Sequence, residues 1–197
     1  MQIRLGEVAD IQIGYQVAGK AEPDPDGTHY LIQTSDVDNT GSIAWAELVQ
    51  VVPVTRSVER YELVDGDVLF LAKGVRRVST VIRQPPARTI PASTFYLIRT
   101  RDQSALLPEY LNWYLNVGAR DALTARELQG STMTFVRKES LADLPVDVPD
   151  LSSQRAIASL FDLVRREEAL VGELLSRRAS LINIVARRAA AGKDTGA

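Results

Sequence analysis

The sequence predicts an α+β protein: a β-rich domain over residues 1–150, then one long C-terminal helix over 151–191 that forms an antiparallel coiled coil in a dimer, then a flexible tail over 192–197. Three observations carry that expectation. The first 150 residues break into short apolar runs separated by Gly, Pro, Asn and Asp, the punctuation of strands and turns. The last stretch contains no proline after Pro149 and repeats its apolar residues every seven positions. The two polar residues in that repeat carry opposite charges, which bears on how a second helix packs against it.

Taken in order, Leu5 to Tyr15 alternates into a strand over Ala9–Ile13 that ends at Gly14-Tyr15. Gly19 to Gly27 has loop chemistry throughout, Tyr30–Gln33 reads as a short buried strand, and Asp36–Gly41 as a turn. Trp45–Val54 predicts further strand. Val64–Asp67 is a turn that feeds the apolar strand Val68–Ala72, and Lys73-Gly-Val-Arg-Arg77 opens a basic loop. Strands are expected at Val78–Ile82 and Phe95–Ile98, split by a loop holding Pro85, Pro86 and Pro91. Pro108–Asn116 and Ala119–Leu128 read as amphipathic helices, Pro108 being suited to a first helical position. Gln129–Thr134 is a polar loop with a strand at its end, and Leu144–Val148 leads to the long helix.

That helix is roughly 40 residues, on the order of 60 Å at 1.5 Å per residue. Ser152 and Ser153 are its candidate caps. Ile157, Val164, Val171 and Val185 occupy one seam position and Leu160, Leu174 and Leu181 a second, widened by Phe161, Leu175 and Ile182. Glu167 and Arg178 are the seam's polar exceptions. In a parallel self-pair each meets its own copy, a cost in a seam. An antiparallel pair centred between Gly172 and Glu173 sets Glu167 against Arg178, Val171 against Leu174, Val164 against Leu181 and Leu160 against Val185. Gly172 at the crossing permits close approach. The competing expectation is a helix folded back onto its own domain.

Composition bounds the rest. The 197 residues are 45% hydrophobic and 24% charged, ordinary for a globular protein with a real core. There is no cysteine, hence no disulfide, thiolate metal site or cysteine nucleophile. No apolar run approaches membrane-spanning length and the first segment lacks a signal-peptide core, so a cytoplasmic location is expected. Met1 and the loose tail suggest natural ends. The formal charge is −2, but Lys73 to Arg101 holds seven basic residues and no acid. Such a stretch is the footprint expected for a phosphate backbone, with a solvated face as the plainer explanation.

No constellation supports catalysis. His29 is the only histidine and stands at a strand start. Asp65, Asp67 and Lys73 have the wrong spacing for a nuclease strand, Leu71 standing where an acid is needed. Asp36 and Asp38 lack the glycine and glutamate of a calcium loop. Phosphate-binding and dinucleotide-binding glycine patterns are absent, and Gln84-Pro-Pro-Ala87 lacks the polar and aromatic ends of the motif that resembles adenine methyltransferases.

Several pieces together resemble a family. They are Leu5-Gly-Glu-Val-Ala-Asp-Ile11 with Gly14-Tyr15, Tyr30-Leu-Ile-Gln33 with Asp36-Val37, Gly66-Asp-Val-Leu-Phe70 with Gly74, and Pro108-Glu-Tyr-Leu111 with Tyr114-Leu115. They continue in Gly130-Ser-Thr132, Leu141-Ala-Asp-Leu-Pro-Val146 to Pro149, and Gln154-Arg-Ala-Ile157. In order and spacing these resemble the DNA specificity subunit of type I restriction-modification systems. Members usually hold two target-recognition domains and two long antiparallel helices; this chain has one of each and resembles a half-subunit. The resemblance implies a non-catalytic chain that reads double-stranded DNA beside a methyltransferase subunit, which binds S-adenosylmethionine, and, where one joins, an ATP-driven restriction subunit. A homodimer implies an inverted-repeat site with a fixed spacer. Lys73, Arg76 and Arg77 are then expected on the DNA, with Ser131, Thr132 and Thr134 bonding phosphates or bases, Arg137 and Lys138 phosphates, and Tyr15 and Gln16 nearby. The helix interface is expected to use Ile157, Leu160, Phe161, Val164, Glu167, Val171, Gly172, Leu174, Arg178, Leu181 and Val185. Two other classes stay open: a coiled-coil adapter without sequence choice, and a free-standing nuclease.

Overall fold

The computed structural model describes residues 2–17, 21–54, 57–74, 76–119, 123 and 135–191. Its strands are β1 (Gln2–Arg4), β2 (Ala9–Ile13), β3 (His29–Ile32), β4 (Val49–Val51), β5 (Val68–Leu71), β6 (Ser79–Val81), β7 (Thr89–Pro91), β8 (Phe95–Thr100) and β9 (Pro145–Asp147). Helices are α1 (Leu5–Val8), α2 (Pro108–Trp113), α3 (Lys138–Ala142) and α4 (Leu151–Ala191). An antiparallel sheet in the order β2-β8-β5-β6 lies at the centre; β4-β3-β7 form a second sheet, and β1 pairs with β9.

The continuous apolar run of β5 follows from burial of the central sheet on both faces. Successive side chains point to opposite sides, so Val68 and Phe70 enter one cluster with Tyr96 and Ile98, while Leu69 and Leu71 enter another with Phe95 and Leu97. The first cluster also takes Leu5, Leu106, Leu111, Leu141 and Val146, so α1, α2, α3 and β9 cover that face. The second is completed by Ile32 and Val37. Asp67, only 1% exposed, accepts from Arg99 at 2.7 Å on each oxygen and also receives the Val64 amide. That pair closes the turn before β5, and the Asp67 hydrogen bond holds the Arg99 guanidinium above its ordinary pKa.

Four expectations differ from the structure. Trp45–Glu47 is a 3-10 turn and only Val49–Val51 is strand. The segment expected as a proline loop contains β7, whose Pro91 stands at the strand's end and which pairs in parallel with β3. The pairing runs parallel and over a long sequence separation, so no hairpin signature marks it. Helix Pro108–Asn116 is α2 continued by a π-turn over Tyr114–Gly118. The cap of α4 is Asp150: its carboxylate accepts the Ser152 and Ser153 amides at 2.9 and 3.0 Å, and both hydroxyls. Ser152 and Ser153 therefore serve as donors to the cap. Helix Ala119–Leu128, apart from Ala119 and Leu123, the loop up to Thr134, and the tail 192–197 lie outside the described residues.

The chain divides into two compact units, one ending at Ser159 and one beginning at Leu160. The division falls inside α4 because its first turns belong to the domain. Gln154, fully buried, accepts the Leu107 amide at 2.9 Å and donates to the Ala105 and Pro149 carbonyls at 2.8 and 2.9 Å. Ala158 is buried and Ile157 packs half-buried against the first cluster. The second unit is helix throughout its described length, with Leu160, Val164, Leu170, Val171, Leu174, Leu181 and Val185 all exposed. Ion pairs Asp162–Arg166 and Glu173–Arg177 join successive turns, acid before base. No described helix is long and apolar enough to cross a membrane.

Candidate nucleic-acid interface

The seven basic residues from Lys73 to Arg101 differ in what holds them. Three are matched by carboxylates. Arg83 pairs with Asp65 and Glu109, Arg99 with Asp67, and Arg101 with Asp10. The Gln84 amide, with Arg83 adding its charge, holds the Asp65 carboxyl below the usual range. The cations around the loop after β5 are held differently, by carbonyls and an aromatic ring.

Arg76 is a brace. Its guanidinium donates to the Thr34 carbonyl at 2.8 Å, the Val37 carbonyl at 2.9 Å and Asn39 Oδ1 at 3.2 Å, tying the loop after β5 to the turn after β3. Arg77 donates to the Gly74 and Arg76 carbonyls and rigidifies its own loop. The turn held by Arg76 is itself ordered by its acids. Asp36 accepts the Gln33 amide, and Asp38 accepts the Thr40 and Ser42 amides, so these carboxylates act locally. Gly74 has φ +109°, a conformation that L side chains rarely adopt, and a Cβ there would meet nothing within 4 Å. The loop thus offers bare backbone to its surroundings.

Lys73 is exposed and forms an antiparallel bridge with Phe135. Arg137 and Lys138, both exposed, follow Phe135 by two and three positions. These three cations are separate candidates in the sequence; the fold links the segments that carry them through the Lys73–Phe135 bridge. It does not gather Tyr15. That ring is 5% exposed in a third cluster with Leu31, Val51, Val58 and Ile90, packs edge-on against Tyr61 at 5.6 Å, and accepts the Val54 amide through its hydroxyl. Gly14 precedes it because a Cβ would come within 2.3 Å of the Ala92 carbonyl. Gln16 is exposed and donates to the Val17 carbonyl. Ser131, Thr132 and Thr134 lie outside the described residues. Among the described residues, no group of three His, Asp or Glu could hold a metal ion. One residue passed over in the sequence stands in this group: Phe135, whose signal is an aromatic two positions before the Arg137-Lys138 pair.

No family model and no curated protein matches the chain. Solved structures do. A chain from a study of complex assembly and conformational transition of a type I R-M system aligns with TM-score 0.63 and 20% identity, covering 94% of this chain and 43% of that one. The HsdS subunit from Thermoanaerobacter tengcongensis aligns with TM-score 0.58 and 19% identity, covering 88% and 39%. The S subunit of a type I restriction-modification system from M. genitalium aligns with TM-score 0.51 and 14% identity, covering 93% and 42%. The chain therefore has the α+β fold of type I restriction-modification specificity subunits. It spans about two-fifths of the length of those structures.

Proposed function

We propose that this chain is a DNA specificity subunit of a type I restriction-modification complex in half-subunit form. The observation that supports it most is a fold similarity running through the domain and the long helix together, over 94% of the chain, at less than half the neighbour's length. In this reading two copies pair through α4 antiparallel from Leu160 onward, with Glu167 against Arg178 of the other copy and Val171 against Leu174. Each domain reads one half of an inverted-repeat site, and the helix pair, on the order of 60 Å long, sets the spacing. Lys73, Arg137 and Lys138 meet phosphates, while Arg76 and Arg77 hold the loop that carries Lys73.

The chain contributes site choice and leaves the chemistry to its partners. A methyltransferase subunit binds S-adenosylmethionine and transfers the methyl group; a restriction subunit, where one joins, uses ATP. Affinity capture of the chain from its source cells after nuclease treatment tests this. Stoichiometric recovery of a protein bearing an adenine-methyltransferase motif is the expected result. Recovery of the chain alone, or with a partner lacking that motif, would replace the proposal with a coiled-coil adapter.

A further inference from the structure

We infer that Phe135 reads a base, packing its ring on a thymine methyl group in the major groove; this rests on the DNA-reading function proposed above. The ring is 39% exposed although the residue after it, Val136, is buried. Its position is fixed from behind. The Val136 amide donates to the Ala72 carbonyl at 3.0 Å, and the Val136 carbonyl accepts the buried Tyr96 hydroxyl at 3.0 Å. Tyr96 also stands 6.3 Å from the Phe135 ring, tilted by 44°. The ring is thus carried on a backbone bonded through Val136 to Ala72, just after β5, and to Tyr96 of β8.

One cation lies beside it. Lys73 Nζ lies 5.8 Å from the ring centroid, Arg137 and Lys138 follow in the chain, and Glu139 is the acid beside them. A lone exposed apolar residue needs no explanation. An exposed aromatic beside a lysine, with two further cations next in sequence, matches a duplex surface, where charge meets phosphate and the ring meets the apolar feature that marks a base pair in the major groove, the thymine methyl. Gly74, open on its outer side, leaves room for the approach.

The test begins with the full chain, together with the proteins it retains on capture, selecting from a randomised duplex library. Wild type is expected to enrich a bipartite motif, and failure to enrich any motif overturns the function itself. On the enriched site Phe135→Ala should bind about tenfold more weakly and lose preference for thymine at one position of each half. Replacing that thymine by deoxyuridine, which lacks only the methyl, should weaken wild type and Phe135→Leu but leave Phe135→Ala unmoved. The salt dependence of Phe135→Ala should match wild type, whereas Lys73→Ala should lower the slope by about one. A Phe135→Ala protein that enriches the same motif with the same thymine preference, or that responds to deoxyuridine as wild type does, overturns the assignment. Loss of the retained protein with an unchanged motif assigns the ring to a protein contact and overturns it equally.

Discussion

In the domain Arg83, Arg99 and Arg101 each reach a carboxylate, and Gln154 finds three backbone partners. From Leu160 onward the helix keeps its own ion pairs but leaves Leu170, Leu174 and Leu181 more than 60% exposed. The first region closes these groups on itself. The second has an apolar face and no core of its own, a condition that isolated helices in water do not sustain. The contrast teaches where partner information resides. A composition-level feature such as the basic run points to a partner less strongly once three of its seven charges are found paired; an apolar heptad seam keeps pointing to one after the described structure is known.

The largest effect expected is on the open region. Leu174→Glu sets a carboxylate against Val171 at two symmetric places in an antiparallel pair, and self-association should fall by roughly 100-fold or more, read by sedimentation or light scattering. Domain melting should hardly move, because Leu174 has no part in the domain's core clusters. A dimer that survives this substitution breaks the contrast between the two regions.

Charge order in the seam sharpens it. Arg178→Glu alone sets a second carboxylate against Glu167 of the other copy and should weaken an antiparallel dimer by about tenfold, and adding Glu167→Arg should restore it. In a parallel dimer the single change merely replaces Arg against Arg by Glu against Glu, leaving affinity near its starting value. The pair of measurements therefore reads helix direction without a structure of the dimer.

In the closed region the corresponding experiment is Asp67→Ala. It removes a buried acceptor of three hydrogen bonds, two of them from Arg99, and should cost the domain about 2–3 kcal/mol in denaturant unfolding. Self-association through the helix should be unchanged. An equal loss in both measurements would mean that the two regions unfold as one.

How much of this is legible in the sequence depends on the range of the interaction. Strand β5, the long helix and the turn at Val64–Asp67 rest on local periodicity and turn chemistry, and their sequences show them. Strand β7 depends on a parallel partner about 60 residues away, β3, and its Thr-Ile-Pro sequence resembles a loop. Arg76 is expected on DNA because a basic loop resembles a phosphate site. Its carbonyl partners at Thr34 and Val37 come from a turn about 40 residues earlier in sequence, which only the fold reveals. Lys73, Arg137 and Lys138 are visible as three separate residues, but the bridge to Phe135 that joins them spans about 60 positions.

The smallest effect concerns the start of α4, within the first region. Asp150 caps α4, and hydrogen bonds from the Ser152 and Ser153 hydroxyls and amides hold its carboxyl well below the usual carboxylate range. The folded pKa is depressed, so the capping contribution is fully present above the unfolded value of about 3.9 and fades as pH falls toward the folded one. Between about pH 5 and pH 2, wild type should therefore lose more helix stability than Asp150→Asn, whose amide oxygen still accepts the two backbone donors but does not titrate. Circular dichroism of the two proteins across that interval reads the difference. Equal acid sensitivity would move control of the helix start from Asp150 to the buried Gln154, which carries no charge and leaves that start indifferent to pH.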